Sequence, residues 1–522
     1  MGKKRNAKKS GNKVTGPVKL LPQTRTELSA LVDEVFKRCT KVPSATAPNA
    51  AQEWAEYTEI FQLIQNIRNL EKDVLLPSYS REEQIPTFMS WLKEKGVKIS
   101  GVEISDFGNQ GFGLMTTEDL QQGVEVIDVP LEAMMTEDTA RKSYLGPLIE
   151  RDPILQHMGN VSLALHVLGE YVNPQSPWQP YLRILPASYS TTLYFSQDEI
   201  LGLKGSPALE EAVRQFRNIA RQYSYFYRIL HSLPEARSWP IKDYFTFDAY
   251  RRVSFSGDFG SRDKETWAVS TIMTRQNRVP TKGASGQLAL IPAWDMCNHE
   301  QGIYSTDYDE EKNCCVCLAQ KDFKKGDQFT IYYGKRHNVE LFLHNGFVEI
   351  GNENDSLAIK LGVSKNDPLH DEKVALLTSL GLPSSGSFML IPGLHPISPG
   401  LLAFTRIFCM DKEIQDWMPE KPAEKQDVQE KISLDKWKDD GEKAKGLLHE
   451  DCDVGTTVQD KTWRFLHTRV SLLVRAYPTT LEEDQAALPA LKDNEAVIRS
   501  LLMCEKMILK DAMTYLSALL PK

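Results

Sequence analysis

The chain has no apolar run approaching the ~20 residues that a membrane-spanning helix requires, so no membrane partner is expected. It also lacks an excess of positive charge. Lys and Arg number 62 against 70 Asp and Glu, giving a formal net charge of −8. A protein held to nucleic acid through phosphates needs a basic face, so no nucleic-acid partner is expected either. Cysteine is sparse, with eight in 522 residues, and only Cys314, Cys315 and Cys317 cluster. No signal-peptide pattern precedes them, and reduced thiols in the cytoplasm or nucleus are the simplest reading. The Cys-Cys-x-Cys run has no second ligand pair at finger spacing and merges into an alternating stretch ending at Leu318. Strand residues are expected there, and no metal site. Met1-Gly2 is followed by Asn6 where a myristoylation motif wants Ser or Thr. Internal repeats are missing as well.

What is present is enough apolar sequence for more than one core. Hydrophobic residues make up 41% and charged residues 25% of the chain, ordinary for a globular protein, and the length implies two or three domains. Residues 1–24 carry Lys3, Lys4, Arg5, Lys8, Lys9 and Lys13 with almost nothing apolar, and read as a disordered basic tail that leaves nuclear import open. From 25 to 98, apolar residues recur at helical spacing, as in Trp54, Tyr57, Phe61, Ile64 and Ile67, with a further short helix over 84–95. Between Val97 and Val129 short alternating runs are punctuated by Gly101, Gly108, Gly111, Gly113 and Gly123, which predicts small strands and tight turns.

Strands return at Ala289-Leu290-Ile291-Pro292, Val316-Cys317-Leu318 and Gln328-Phe329-Thr330-Ile331-Tyr332. Two β-rich blocks, 99–136 and 268–347, are therefore separated by a helical insertion, 137–267. Residues 348–522 read as helical. Ile498, Leu501, Leu502, Ile508, Leu509, Ala512, Met513 and Leu516 share one face, and Thr480-Leu481-Glu482-Glu483 has capping-box spacing. The charged stretch 411–460 reads as a surface connection. The fold class is α+β.

Three patches carry possible chemistry. Gly111-Phe112-Gly113 lies in a turn context where glycine lets backbone approach a ligand; a plain tight turn explains it equally well. Asp295-Met296-Cys297-Asn298-His299 is a polar cluster at a strand end, costly if buried without partners; a lone histidine there is more often structural than a ligand. Tyr333 stands before a turn glycine, where core packing is the bland alternative.

Taken together and in order, Gly111-Phe112-Gly113, Arg275-Gln276-Asn277, Asp295-Met296-x-Asn298-His299, Tyr332-Tyr333-Gly334 and Asn345-Gly346-Phe347 resemble the SET-domain methyltransferases. The insertion and the helical C-terminal region are similar to the Rubisco-methyltransferase-like subfamily. Trp178-Gln179-Pro180-Tyr181, Met273-Thr274-Arg275-Gln276-Asn277 and Pro292-x-Trp294-Asp295-Met296-Cys297-Asn298-His299 resemble its branch of actin-histidine methyltransferases. The resemblance implies a pseudoknotted β-rich core, an exception to the usual avoidance of threading, followed by an all-α domain that binds the protein substrate.

It also implies S-adenosylmethionine as cofactor and actin as partner, with the distal (tele) nitrogen of a histidine methylated by a monomeric enzyme. Cofactor contacts would fall on Arg81, Gln110, Gly111, Phe112 and Arg275. They would continue through Asp295, Met296, Cys297, Asn298 and His299 to Asn345, Gly346 and Phe347. Tyr333 and Asn277 would serve catalysis, while Trp294, Ile331 and Arg336 would contact substrate. Lysine-specific relatives generally carry an aromatic where Asn277 stands, and an amide can accept the Nδ1–H of an imidazole. A lysine methyltransferase of the same subfamily and a non-catalytic scaffold are the alternatives. The chain departs from the family pattern at Gln110, usually Glu, and at Asn345, often Ser. Residues 252–266 read as a loop inserted between Tyr250-Arg251 and Trp267.

Overall fold

A computed structural model of the chain describes residues 19–41, 50–186, 189–250, 268–281, 284–418 and 443–520. The inserted loop 252–266 and most of the basic tail lie outside the described residues. Two compact units emerge: one comprises residues up to Tyr194, 212–334 and 344–346, the other 195–211, 335–343 and 347 onward. Among the described residues no helix is long and apolar enough to cross a membrane.

In the first unit the helical spacing holds. Helix Pro22–Thr40 buries Leu28, Val32, Val35 and Cys39, and helix Ala50–Glu71 buries Tyr57, Ile60, Ile64 and Ile67. Both sets step by three or four residues, the period that lines one helix face. Helix Arg81–Glu94 begins where the Ser80 hydroxyl accepts from the Glu83 N–H at 3.4 Å, satisfying an otherwise orphaned donor.

Eleven short strands follow among the described residues of this unit. They are β1 (Lys98–Ile99), β2 (Val102–Asp106), β3 (Phe112–Thr116), β4 (Glu125–Pro130), β5 (Met135–Thr136) and β6 (Asn277–Thr281). The rest are β7 (Ala284–Leu290), β8 (Asn298–His299), β9 (Thr306–Asp309), β10 (Cys314–Leu318) and β11 (Gln328–Ile331). One sheet runs β1-β4-β10-β9, a second β2-β3-β11-β8 and a third β5-β7-β6. The cysteine run is strand, as expected. Cys314, Cys315 and Cys317 sit in β10 between β4 and β9 as buried free thiols, and burial pushes the Cys315 thiol up to about 12, where it is inert.

The functional consequence lies in the second sheet. There β11 pairs antiparallel with β3 and parallel with β8, Thr330 opposite Asn298 and Ile331 opposite His299. Beside the sheets, helix Gly159–Val172 is buried almost all round, as a helix apolar on every face must be.

The second unit is helical for most of its length. The Thr480–Glu483 capping box forms reciprocally, and the predicted face of helix Asp493–Leu519 is buried except for Met513, which is half-buried. One expectation is corrected. The C-terminal region is not all-α, because β12 (Leu357–Gly362) and β13 (Ser385–Leu390) pair antiparallel over six residues. Each strand is too short, and β13 too rich in Ser and Gly, to interrupt a helical pattern when read alone. The middle of the charged stretch 411–460, residues 419–442, lies outside the described residues, and its described flanks are mostly exposed or half-buried, with Ile414, Ala444 and Leu447 buried among them. Arg406, itself fully buried, ties down the second flank: its Nη1 donates to the Leu447 carbonyl at 3.0 Å and the His449 carbonyl at 2.6 Å.

Candidate active site

The β8–β11 seam brings together residues that are far apart in sequence. Tyr333, two residues past β11, donates its phenol O–H to the Cys297 carbonyl at 2.7 Å, and its backbone N–H donates to His299 Nδ1 at 3.2 Å. The rings of His299 and Tyr333 lie 5.0 Å apart. With His299 Nδ1 accepting this hydrogen bond, the ring hydrogen sits on Nε2. The chain enters β8 through a strained bend. Ala293 has φ 68° and ψ −47°, a conformation disfavoured for residues with a Cβ, and it is bracketed by a bond from the Asp295 N–H to the Ile291 carbonyl at 3.0 Å. Such strain persists only where surroundings impose it. Here it aims Trp294 and Asp295 inward.

Asp295 is the electrostatic centre. Its side chain is 1% exposed, 3.5 Å from Arg275 Nη1, and its Oδ2 accepts from the Tyr181 phenol at 2.7 Å. Burial raises its carboxyl above the usual range, an effect that Arg275 partly offsets. Burial opposes the charge on Arg275, yet Asp295 and nearby tyrosines hold its guanidinium firmly protonated. Arg275 ends helix Ala268–Arg275 and also donates to the Asp295 backbone carbonyl. Arg81 completes the group. Its Nε donates to the Ile184 carbonyl at 2.7 Å and its guanidinium lies 4.6 Å over the Phe112 ring. Burial, then repulsion from Arg275, lowers its pKa to about 10, so it stays charged at neutral pH.

Four atoms here are buried without a hydrogen-bond partner: Arg81 Nη2, Arg275 Nε, Asp295 Oδ1 and Asn298 Nδ2. Native proteins rarely leave such groups unmatched.

The glycines close the surroundings. A Cβ on Gly113 would lie 2.8 Å from Gln328 Nε2 and 3.0 Å from Asn298 Nδ2, and one on Gly346, at φ +82°, would lie 2.7 Å from the Ser190 carbonyl carbon. Asn345 Nδ2 donates to the Thr274 carbonyl at 3.4 Å. Asn277 opens β6, and its Nδ2 donates to the Arg275 carbonyl at 3.2 Å. Trp294, Met296, Cys297 and Ile331 are buried. Gln110 is exposed at the end of a short 3-10 turn before Gly111. Arg336 and Phe347 belong to the second unit.

The family profile described as SET domain matches residues 111–334, and that described as Rubisco LSMT substrate-binding matches 364–509. The actin-histidine N-methyltransferase of Danio rerio is 39% identical over 98% of this chain and 80% of its own length. That of Homo sapiens is 38% identical over the same shares. The chain belongs to the actin-histidine N-methyltransferase family of SET-domain proteins. Among solved structures, the SET domain of LSMT bound to lysine and AdoHcy matches with a TM-score of 0.65 at 19% identity, covering 84% of this chain and 92% of that one. Rubisco LSMT bound to AdoMet matches with a TM-score of 0.63 at 21% identity, covering 83% and 92%. At these identities the likeness is one of fold.

In this member of the family, sequence reasoning missed two tyrosines of the site. Tyr181 is fully buried against Asp295, and the Tyr189 hydroxyl lies 2.8 Å from Thr271 Oγ1. Tyr181 stands in the Trp-Gln-Pro-Tyr motif that marks the family, which was the available signal. The neighbouring Gln179 explains that motif's rigidity, since its amide donates to the Glu170, Tyr171 and Asn173 carbonyls at 2.8–2.9 Å.

Proposed function

We propose that the protein is an S-adenosylmethionine-dependent methyltransferase that modifies the distal ring nitrogen of a histidine in actin. The observation that carries this reading is the unmatched set Arg81 Nη2, Arg275 Nε, Asn298 Nδ2 and Asp295 Oδ1. Two guanidinium donors, an amide donor and a carboxylate acceptor are the complement of an amino-acid end group, whose carboxylate an arginine fork binds well. Membership in a family whose relatives are named for actin histidine supplies the substrate.

When bound, the cofactor supplies an electrophilic methyl group on a sulfonium. The chain's own residues do the positioning, which is most of the catalysis in such a displacement. Arg81, steadied on Phe112, and Arg275 hold the carboxylate, and the backbone of Asn298-His299 and Asn345-Gly346 lines the remainder. Asn277 commits its Nδ2 to the Arg275 carbonyl, which turns its Oδ1 into the acceptor for an imidazole Nδ1–H. The Nε2 lone pair of the substrate then faces the methyl group. Tyr333 flanks that ring, and Trp294 and Ile331 bound the pocket.

The test is incubation with methyl-labelled cofactor and purified actin, followed by mass spectrometry and comparison with authentic tele-methylhistidine. Label on one histidine is the expected result. Label on lysine would reassign the substrate, and bound cofactor without transfer would make the protein a scaffold.

A further inference from the structure

The seam that assembles the site is short. β8 has two residues, each with one partner in β11, and the Glu300 N–H adds a single bond to the Ile331 carbonyl at 3.1 Å. A ladder of this length secures its register poorly, and a one-residue slip would turn every side chain of β8 to the opposite face, His299 included.

Behind the seam lies a directed chain of hydrogen bonds. The Thr330 hydroxyl, on a residue 5% exposed, donates to Glu300 Oε2 at 2.5 Å and accepts from Gln320 Nε2 at 3.1 Å. Glu300 Oε1 in turn accepts from Lys321 Nζ at 2.5 Å. Gln320 is buried, and its backbone carbonyl accepts from Gln122 Nε2 at 3.1 Å. A Cβ at Gly302 would lie 2.2 Å from Gln320 Oε1, so glycine is what lets the loop after Glu300 settle on that amide. Each group is used in one sense only. The hydroxyl gives its one proton to the carboxylate and takes one from the amide, which fixes its rotor. Glu300 directly follows His299, and Thr330 stands opposite Asn298. The chain therefore ties together the two strands that carry Asn298-His299 and lead into Tyr333.

We propose that Thr330, Glu300 and Gln320 are positioning residues for methyl transfer: they lock the register of β8 against β11 and so hold Tyr333 and His299 in their working relation. This rests on the methyltransferase reading above. Wild-type protein is therefore assayed first for cofactor binding by calorimetry and for transfer to actin. Failure there bears on that reading and not on the lock.

With an active wild type, Thr330→Val is expected to lower kcat per folded molecule about tenfold, the scale of one buried hydrogen bond to a charged group. The KM for actin should stay within about twofold, since these residues touch no substrate. Thr330→Ser, which keeps the hydroxyl, should restore the rate. A purely structural role would lower the melting temperature and the folded fraction while leaving kcat per folded molecule unchanged. That result overturns the proposal, as does a loss in Thr330→Val that Thr330→Ser does not share the remedy for. Should Thr330→Val fail to fold, Glu300→Ala against Glu300→Gln decides. Loss with Ala and partial retention with Gln, whose amide oxygen still accepts the Thr330 proton, supports the lock, and wild-type turnover in Glu300→Ala sinks it.

Discussion

Tyr333 and Cys297 stand 36 residues apart in sequence and are joined by one hydrogen bond, the phenol O–H donating to the carbonyl at 2.7 Å. The same bond anchors the tyrosine and occupies a carbonyl of the Asn298-His299 segment. Tyr333→Phe leaves that buried carbonyl without its donor, a loss of roughly 1–3 kcal/mol. Single-turnover methyl transfer should fall roughly tenfold to a hundredfold, with a smaller change in cofactor affinity. An unchanged rate would reduce Tyr333 to packing.

Arg81 is the separate handle on cofactor binding. Arg81→Ala should weaken cofactor affinity at least tenfold by calorimetry, about the contribution of one charge-assisted bond. Arg81→Lys should recover only part of it, because a lysine cannot reproduce the guanidinium plane over Phe112 or the fork that also reaches the Ile184 carbonyl. Wild-type affinity in the alanine variant would remove Arg81 from the site.

For Asn277 the expected pattern is the reverse. Asn277→Ala should impair transfer while cofactor affinity holds, since a buried hydrogen bond on the order of 1 kcal/mol fixes the imidazole tautomer. The pH profile separates the nucleophiles. A histidine with pKa about 6.5 is already mostly neutral at pH 7, whereas a lysine at about 10.4 is almost wholly charged. The rate at low substrate should rise through roughly pH 6–7 and then flatten. A tenfold climb per unit continuing to pH 9 would identify lysine.

Two glycines of nearly equal φ allow a paired stability measurement. Gly346 and Gly351 have φ +82° and +83°; a Cβ on the first meets the Ser190 backbone at 2.7 Å, and one on the second meets nothing within 4 Å. Gly351→Ala should cost about 1 kcal/mol for the left-handed conformation alone, and Gly346→Ala clearly more in thermal melts. Equal losses would show that Ser190 yields freely.

What the sequence made legible follows the range of the interaction. The Thr480–Glu483 box spans three residues and the face of helix Asp493–Leu519 repeats on a fixed period, so both can be read locally. The strand state of Cys314, Cys315 and Cys317 follows from the alternating stretch they enter and the lack of further ligands, while their burial on both faces of β10 comes from its neighbours. The joining of Asn298-His299 to Tyr333 cannot be read from periodicity, and it was expected only because the ordered motifs resemble a family. The partnership of Tyr181 with Asp295 spans 114 residues and leaves no local trace. The β12–β13 pair was hidden for a different reason: strands of six residues, each mixing apolar residues with Gly or Ser, are too short to stand out from helical surroundings.

The segments that would grip the cofactor begin at Arg81 and end at Gly346, with the β8–β11 seam between them. A chain that has formed its helices but not closed these distant segments has no binding site. Contacts so remote in sequence form slowly, and a ligand that recognises only the closed state adds stability by mass action, about 2.7 kcal/mol at a hundredfold excess over its dissociation constant. The cofactor would thus favour the completed molecule over any form in which these segments have not yet met.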